Sequence, residues 1–164
     1  MSDVQLLGYV PGAIGRVSEL HAQYYHKNWG FGLFFEAKVA TELSEFLSRF
    51  DQDRDGFWTA CLNGRVEGSI AIDGLKAESE GAHLRWFITA DKLRGRGFGI
   101  QLMASAIDFC RYNQYRRIYL WTFEGLDAAR HLYEKFGFRL VQELEGTQWG
   151  TKVIEQKFLL QLIA

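Results

Sequence analysis

Cysteine, proline, histidine and net charge are all scarce in this sequence, and each shortage excludes something. Nineteen Lys and Arg stand against 20 Asp and Glu, a formal charge of −1 at pH 7. That balance leaves no overall electrostatic footprint for nucleic acid, so any basic patch is local. The two cysteines, Cys61 and Cys110, sit inside apolar patterns. Buried thiols in a reducing compartment are expected, not a disulfide framework. The four histidines, His21, His26, His83 and His131, show no metal-ligand spacing with the cysteines, so no metal is expected. The sequence shows no signal peptide, no apolar run of membrane-spanning length and no repeat or low-complexity tract. A cytoplasmic protein without membrane association is therefore expected.

Apolar residues are plentiful at 48%, with aromatics at 15% of the 164 residues, which suits one domain (1–164) with a substantial core. The stretch from Arg85 to Gly99 organises it. An apolar, β-branched and aromatic run (Arg85 to Thr89) is followed by a short polar link. Gly95, Gly97 and Gly99 then alternate with Arg96 and Phe98, preceded by Arg94. Ile100, Met103, Ala104 and Ile107 recur behind them at helical spacing, so the unit reads strand, glycine loop, helix. Such a loop suits an anion, because glycines let the main chain approach closely and a helix N-terminus adds partial positive charge. A phosphorylated ligand is implied. The P-loop pattern fails, since Gly99-Ile100-Gln101 stands where Gly-Lys-Ser/Thr is needed, and the glycine spacing is a poor dinucleotide fingerprint.

Read in order, Gln5–Val10 is a short first strand, and Pro11, the only proline, sits where a helix can start. Val17, Leu20, His21, Tyr24 and Tyr25 share one helical face, and Val39, Leu43, Phe46, Leu47 and Phe50 mark a second helix. Asp51 to Gly56 is a polar turn. Its acids imitate part of a calcium loop, but the twelfth position is Leu62 rather than Glu, so a solvated loop is expected. Asn63-Gly64 between Phe57–Leu62 and Val66–Asp73 is a strong hairpin signal. Strands at Ala82–Thr89, Arg117–Thr122, Phe138–Leu144 and Gly150–Gln161, with a helix at Leu126–Phe136, complete an α/β (α+β) chain. A mixed sheet with helices on both faces results. Alternation puts His83, Arg85, Phe87 and Thr89 on one side of the central strand, with Leu84, Trp86 and Ile88 on the other.

Arg94-x-x-Gly97-x-Gly99 resembles the Arg/Gln-x-x-Gly-x-Gly/Ala signature of the GNAT family, the acyl-CoA-dependent N-acetyltransferases. Leu132-Tyr133-Glu134-Lys135-Phe136-Gly137-Phe138 is similar to the second hallmark of that family and follows at the expected separation. More narrowly, Leu84 to Ile88, Leu120 to Thr122, Ala128 to Tyr133 and Glu155 to Phe158 resemble the acetyltransferase half of proteins that fuse a MarR-type regulator to a GNAT domain, with the regulator half absent.

The resemblance implies a GNAT fold: a mostly antiparallel sheet of six to seven strands with a splay between strands four and five. It also implies acetyl-CoA as co-substrate and a primary amine on a small molecule or peptide as acceptor, with direct attack in a ternary complex. The pantetheine arm would pair with the backbone of Phe87 and Thr89. The pyrophosphate would sit on the N–H groups of Gly95, Arg96, Gly97, Phe98, Gly99 and Ile100, with charge from Arg94 and Arg96. Tyr133 falls at the general acid position, and a phenol of reference pKa about 10 stays protonated at neutral pH. His83 falls where some members carry a glutamate base. Arg85 could anchor an acceptor carboxylate or pair with an acid such as Glu36 or Glu124. His21, Tyr25 and Glu36, on the amino-terminal helices, are candidates for the acceptor pocket or for an aromatic core stripe. The family's pantetheine-binding Asn is replaced by Phe123, or by Leu126, so that contact is missing or taken over by Glu124. Two alternatives stay open: a non-catalytic acyl-CoA-binding or sensing module, and an acyltransferase using a different acyl-CoA. An exposed terminal strand leaves a homodimer open as well.

Overall fold

The computed structural model describes residues 3–163 and has one seven-stranded sheet with four α-helices. The strands are β1 (Val4–Leu7), β2 (Gly56–Leu62), β3 (Arg65–Asp73), β4 (Ala82–Thr89), β5 (Arg117–Phe123), β6 (Arg139–Gly146) and β7 (Val153–Gln161), in the spatial order β1-β2-β3-β4-β5-β7-β6. The helices are α1 (Ala13–Trp29), α2 (Leu33–Ser48), α3 (Phe98–Tyr112) and α4 (Asp127–Lys135). All neighbours are antiparallel except β4 and β5. The β2–β3 hairpin turns on Asn63 (φ 53°) and Gly64 (φ 81°), the two left-handed residues a tight primed turn requires.

The sheet separates two apolar clusters. Leu84, Leu102, Met103, Leu120, Tyr133 and Phe158 join one, beneath α3 and α4. Phe31, Phe35, Leu43, Phe46, Trp86 and Phe123 join the other, beneath α1 and α2. Gly30 ends α1 in the left-handed conformation, its N–H donating to the His26 carbonyl at 2.9 Å, and so turns the chain into α2. Helix α2 stops at Ser48. Phe50, expected on its stripe, lies past the end and is 38% exposed, edge-on against Phe46.

Strict alternation along β4 does not hold. Trp86 has φ 47° and the β3–β4 register shifts between Ser69 and Ala71, so the strand carries a bulge. Arg85 and Trp86 consequently lie together on the α1–α2 face: Arg85 pairs with Glu42 of α2, and Trp86 packs on Phe46. Phe87 and Thr89 return to the opposite face, beside Gly99 of α3. The side shared by His83, Arg85, Phe87 and Thr89 in a regular strand is thus divided at the bulge.

The polar turn before β2 is built around a buried acid. Asp55 is 1% exposed and accepts from the N–H of Gly74 (2.8 Å), the N–H of Asp51 (3.1 Å) and the Arg54 guanidinium (2.9 Å). It staples the entrance of β2 to the exit of β3. Replacing it with Ala leaves buried donors without partners, and we expect Asp55→Ala to destabilise the fold by about 2–4 kcal/mol in denaturant titration, with exposed Asp53→Ala within ~0.5 kcal/mol of the parent.

Candidate active site

Strands β4 and β5 are hydrogen-bonded neighbours only at Ala82–Ile118 and His83–Tyr119. Beyond His83 they part, and the β5-facing edge of β4 from Leu84 to Thr89 pairs with no strand. A cavity of about 150 Å³ lies over this parting, its wall formed by both strands, by α1 and α2, by Tyr133 of α4 and by Gln148 and Trp149 of the β6–β7 loop. Unpaired strand backbone beside a cavity is a place where an extended amide-bearing chain can add itself as a strand.

At the far end of β4 a short 3₁₀ turn (Asp91–Leu93) leads to the glycine loop. Gly95 (φ 72°) and Gly97 (φ 81°) are left-handed, which a side chain would strain. Gly97 caps α3 with no side-chain cap, and the first intrahelical bond there is Gln101 N–H to Gly97 carbonyl. The N–H groups of Gly97, Phe98, Gly99 and Ile100 are thus the orphan donors of a 15-residue helix. No atom lies within 4 Å of where a Cβ would sit at Gly95 or Gly97, so the cradle is open. The Arg94 Nε is 3.2 Å from Asp91, and the Arg96 guanidinium lies over Phe98 with no salt bridge among the described residues. Orphan donors and the helix dipole meet at this loop as an anion would require, with two arginines in the adjoining segment.

Tyr133 is 7% exposed, its ring set against Phe87, Phe138 and Phe158. Its hydroxyl makes no hydrogen bond to another described residue, and the side chain lines the cavity. Burial pushes the phenol well above its ordinary value, so it remains a proton donor at any working pH. Tyr25, on the α1 side of the same cavity, is raised in the same way.

His83 stacks on Tyr119 with ring centroids 4.5 Å apart. Burial, reinforced by the nearby Arg85 charge, lowers it to about 3. Buried His21 is lowered to about 4 by desolvation. Its Nδ1 is 2.8 Å from the Val17 carbonyl, and because a carbonyl only accepts, Nδ1 carries the hydrogen and Nε2 is left as an acceptor. Both histidines line the cavity, as do Arg85 and Tyr25.

Glu36 does not. It is exposed on α2, whose buried face is set by Phe35, Val39, Leu43 and Phe46. The acid that meets Arg85 is Glu42, not Glu36 or Glu124, and Lys38 reaches the same carboxylate one helical turn earlier. Burial works to raise the Glu42 pKa, but hydrogen bonds and charge from Lys38 and Arg85 outweigh it and hold the group ionised. Sequence reasoning missed Lys38 and Glu42. Their i,i+4 spacing was a visible signal for a helix-face pair, though not for its placement over a cavity. Phe123 and Leu126 are buried and Glu124 is exposed, so none of the three offers the polar side chain of the family pattern to the parting.

The profile of the Acetyltransferase (GNAT) family matches residues 15–138, three quarters of the sequence, from the first turn of α1 to just past the end of α4. The chain belongs to the GNAT acetyltransferase family. The N-acetylaspartate synthetase of Xenopus tropicalis is 30% identical over 127 residues, which are 77% of this chain and 46% of that protein. The chain spans about half the length of the curated relatives it matches. Among solved structures, a Streptococcus agalactiae acetyltransferase superposes with a TM-score of 0.74 at 21% identity, over 98% of either chain. A Salmonella typhimurium protein described as an acetyltransferase and solved with acetyl-CoA superposes with a TM-score of 0.75 at 14% identity, over 99% of this GNAT chain and 95% of its own. No helix among the described residues is long and apolar enough to cross a membrane.

The two lowered imidazoles make a stability prediction for this GNAT chain. Between pH 6.5 and 4 the unfolded chain binds protons at His21 and His83 that the fold refuses, so stability falls as pH falls through that window. For buried His21 the full effect is on the order of 3 kcal/mol, and less for half-buried His83. We expect denaturant midpoints to drop from pH 7 to pH 4.5 in the parent and to drop distinctly less in His21→Gln.

Proposed function

We propose that the chain is a cytoplasmic acetyl-CoA-dependent N-acetyltransferase that acetylates a primary amine of a small molecule or peptide by direct attack in a ternary complex. One observation carries this reading: β4 leaves β5 with its edge unpaired, between the orphan amides of the glycine loop and the unpartnered Tyr133 hydroxyl. The residues fit acetyl-CoA. The amides from Gly95 to Ile100, with Arg94 and Arg96, would hold its pyrophosphate, and the free backbone of Phe87 and Thr89 would pair with its pantetheine amides. Bound there, acetyl-CoA supplies an activated acetyl thioester. A main-chain N–H at the bulge would polarise the acetyl carbonyl. The relative named as an N-acetylaspartate synthetase supports the reaction class, and the Salmonella structure containing acetyl-CoA supports the co-substrate. On the segments quoted above, we also propose a resemblance to the acetyltransferase half of MarR-type fusions.

Tyr133 would return a proton to the departing thiolate, whose ordinary pKa near 8.5 lies far below that of a buried phenol. His83 is a poor match for the base. An imidazole held near 3 takes a proton weakly at neutral pH, so it would orient the amine or a water, and the proton would leave through solvent. The neutral Nε2 of His21 would be a second acceptor for an amine N–H.

Thiol release tests the acid. Tyr133→Phe should lower kcat by roughly 10²-fold or more with little change in KM for acetyl-CoA. The parent should show no alkaline limb from this group below pH 10, because its pKa is raised. Unchanged turnover in Tyr133→Phe across a pH series would remove Tyr133 from the chemistry. Competition with longer acyl-CoAs, each expected to transfer more slowly, checks the acyl group.

A further inference from the structure

Arg85 carries more donors than its partner uses. Only Nη2 meets Glu42, and neither Nη1 nor Nε has a protein acceptor among the described residues. A guanidinium has five N–H groups in a planar fork, so a free edge of this one remains in the cavity wall. The fork is also held in orientation, because its central carbon lies 4.1 Å from the Trp86 ring centre. The bulge accounts for both facts, since it brings Arg85 and Trp86 to the same face.

The charges around the cavity do not cancel. Among the described residues, Lys38, Arg85 and Glu42 are the charged side chains lining it at neutral pH, because His21 and His83 are held neutral and Tyr25 and Tyr133 stay protonated; Asp73, which also acts on Arg85, lies outside the lining and is paired with Arg49. Two cations therefore share one carboxylate. A partly desolvated cation without a full counter-charge favours an anionic group on whatever enters. The remaining wall is largely aromatic, with Tyr25, Phe35, Trp86 and Trp149 prominent.

Resting on the acetyltransferase reading, we propose that the acceptor is a free amino acid with an apolar or aromatic side chain, its carboxylate bound by the open edge of Arg85 in a bidentate contact. The transfer breaks the C–S bond of the thioester and forms a C–N amide bond to that amino acid. One amine proton goes to water, and one proton is returned to the thiolate.

Matched acceptors test this directly: L-phenylalanine, L-phenylalaninamide, which keeps the shape without the charge, and phenethylamine, which lacks the group. We expect kcat/KM for L-phenylalanine at least about tenfold above the other two, mostly through KM. Arg85→Gln should raise KM for L-phenylalanine by about ten- to a hundredfold and move that for the amide less than about threefold, with acetyl-CoA affinity unchanged by calorimetry. Arg85→Lys should recover part of the loss. Glu42→Gln removes the negative charge that competes for Arg85 and should lower KM for L-phenylalanine, an effect of opposite sign that no folding defect produces. Transfer to the amide or amine equally well or better would overturn the carboxylate anchor and leave the acetyltransferase reading standing. Transfer to none of the three by an enzyme that binds acetyl-CoA would overturn the acceptor class. A parent that does not bind acetyl-CoA would bring down both.

Discussion

The parting of β4 from β5 is the constraint on which the rest of the molecule depends. A sheet interior normally pairs every main-chain group, and backbone left without a partner at partial burial is costly. Here β4 stays paired with β3 on both sides of the bulge and gives up all but two residue pairs with β5. The bulge at Trp86 bends the strand out of line, while β5 stays locked to β7 along its whole length. Two rigid half-sheets therefore hold the gap open.

Everything chemical is arranged around that gap by elements anchored elsewhere. Tyr133 is fixed because its ring completes the cluster under α3 and α4, so the hydroxyl is positioned by packing rather than by a hydrogen bond. The acceptor side is walled by an aromatic network in which Tyr25 contacts Trp29, Phe31, Phe35 and Phe123 at centroid distances from 5.1 to 5.9 Å. Stacked and edge-on rings of this kind add about 0.5–1.5 kcal/mol a pair beyond area burial, which gives α1 and α2 a firm seat on the sheet. The same low-dielectric surroundings strip the charge from His21 and His83 and leave Arg85, Lys38 and Glu42 as the charged side chains described in the cavity wall.

Much of this was legible in the sequence, for identifiable reasons. Period-two runs and Asn63-Gly64 located β2 and β3, helical spacing located the helices, and alternating glycines beside two arginines marked the loop, because each signal is local. The site was less legible where geometry is non-local. Nothing in Arg85-Trp86-Phe87 announces a positive φ at a tryptophan, so the two-sided reading of β4 failed at the bulge. The partner of Arg85 came from α2, 43 residues away, where helix rotation turns Glu42 inward and leaves Glu36 in solvent. Burial of Cys61 and Cys110 followed from their apolar neighbours, and both are free thiols in the structure.

The most direct test of the central claim is a calorimetric titration of the protein with acetyl-CoA beside a Gly97→Asp variant. Aspartate there would force a side chain onto a residue at φ 81° and set a negative charge in front of the orphan amides of α3. The parent should bind saturably with one site, and the variant should show no measurable binding while keeping its circular dichroism. A parent that fails to bind, or a variant that binds as well as the parent, would contradict the account.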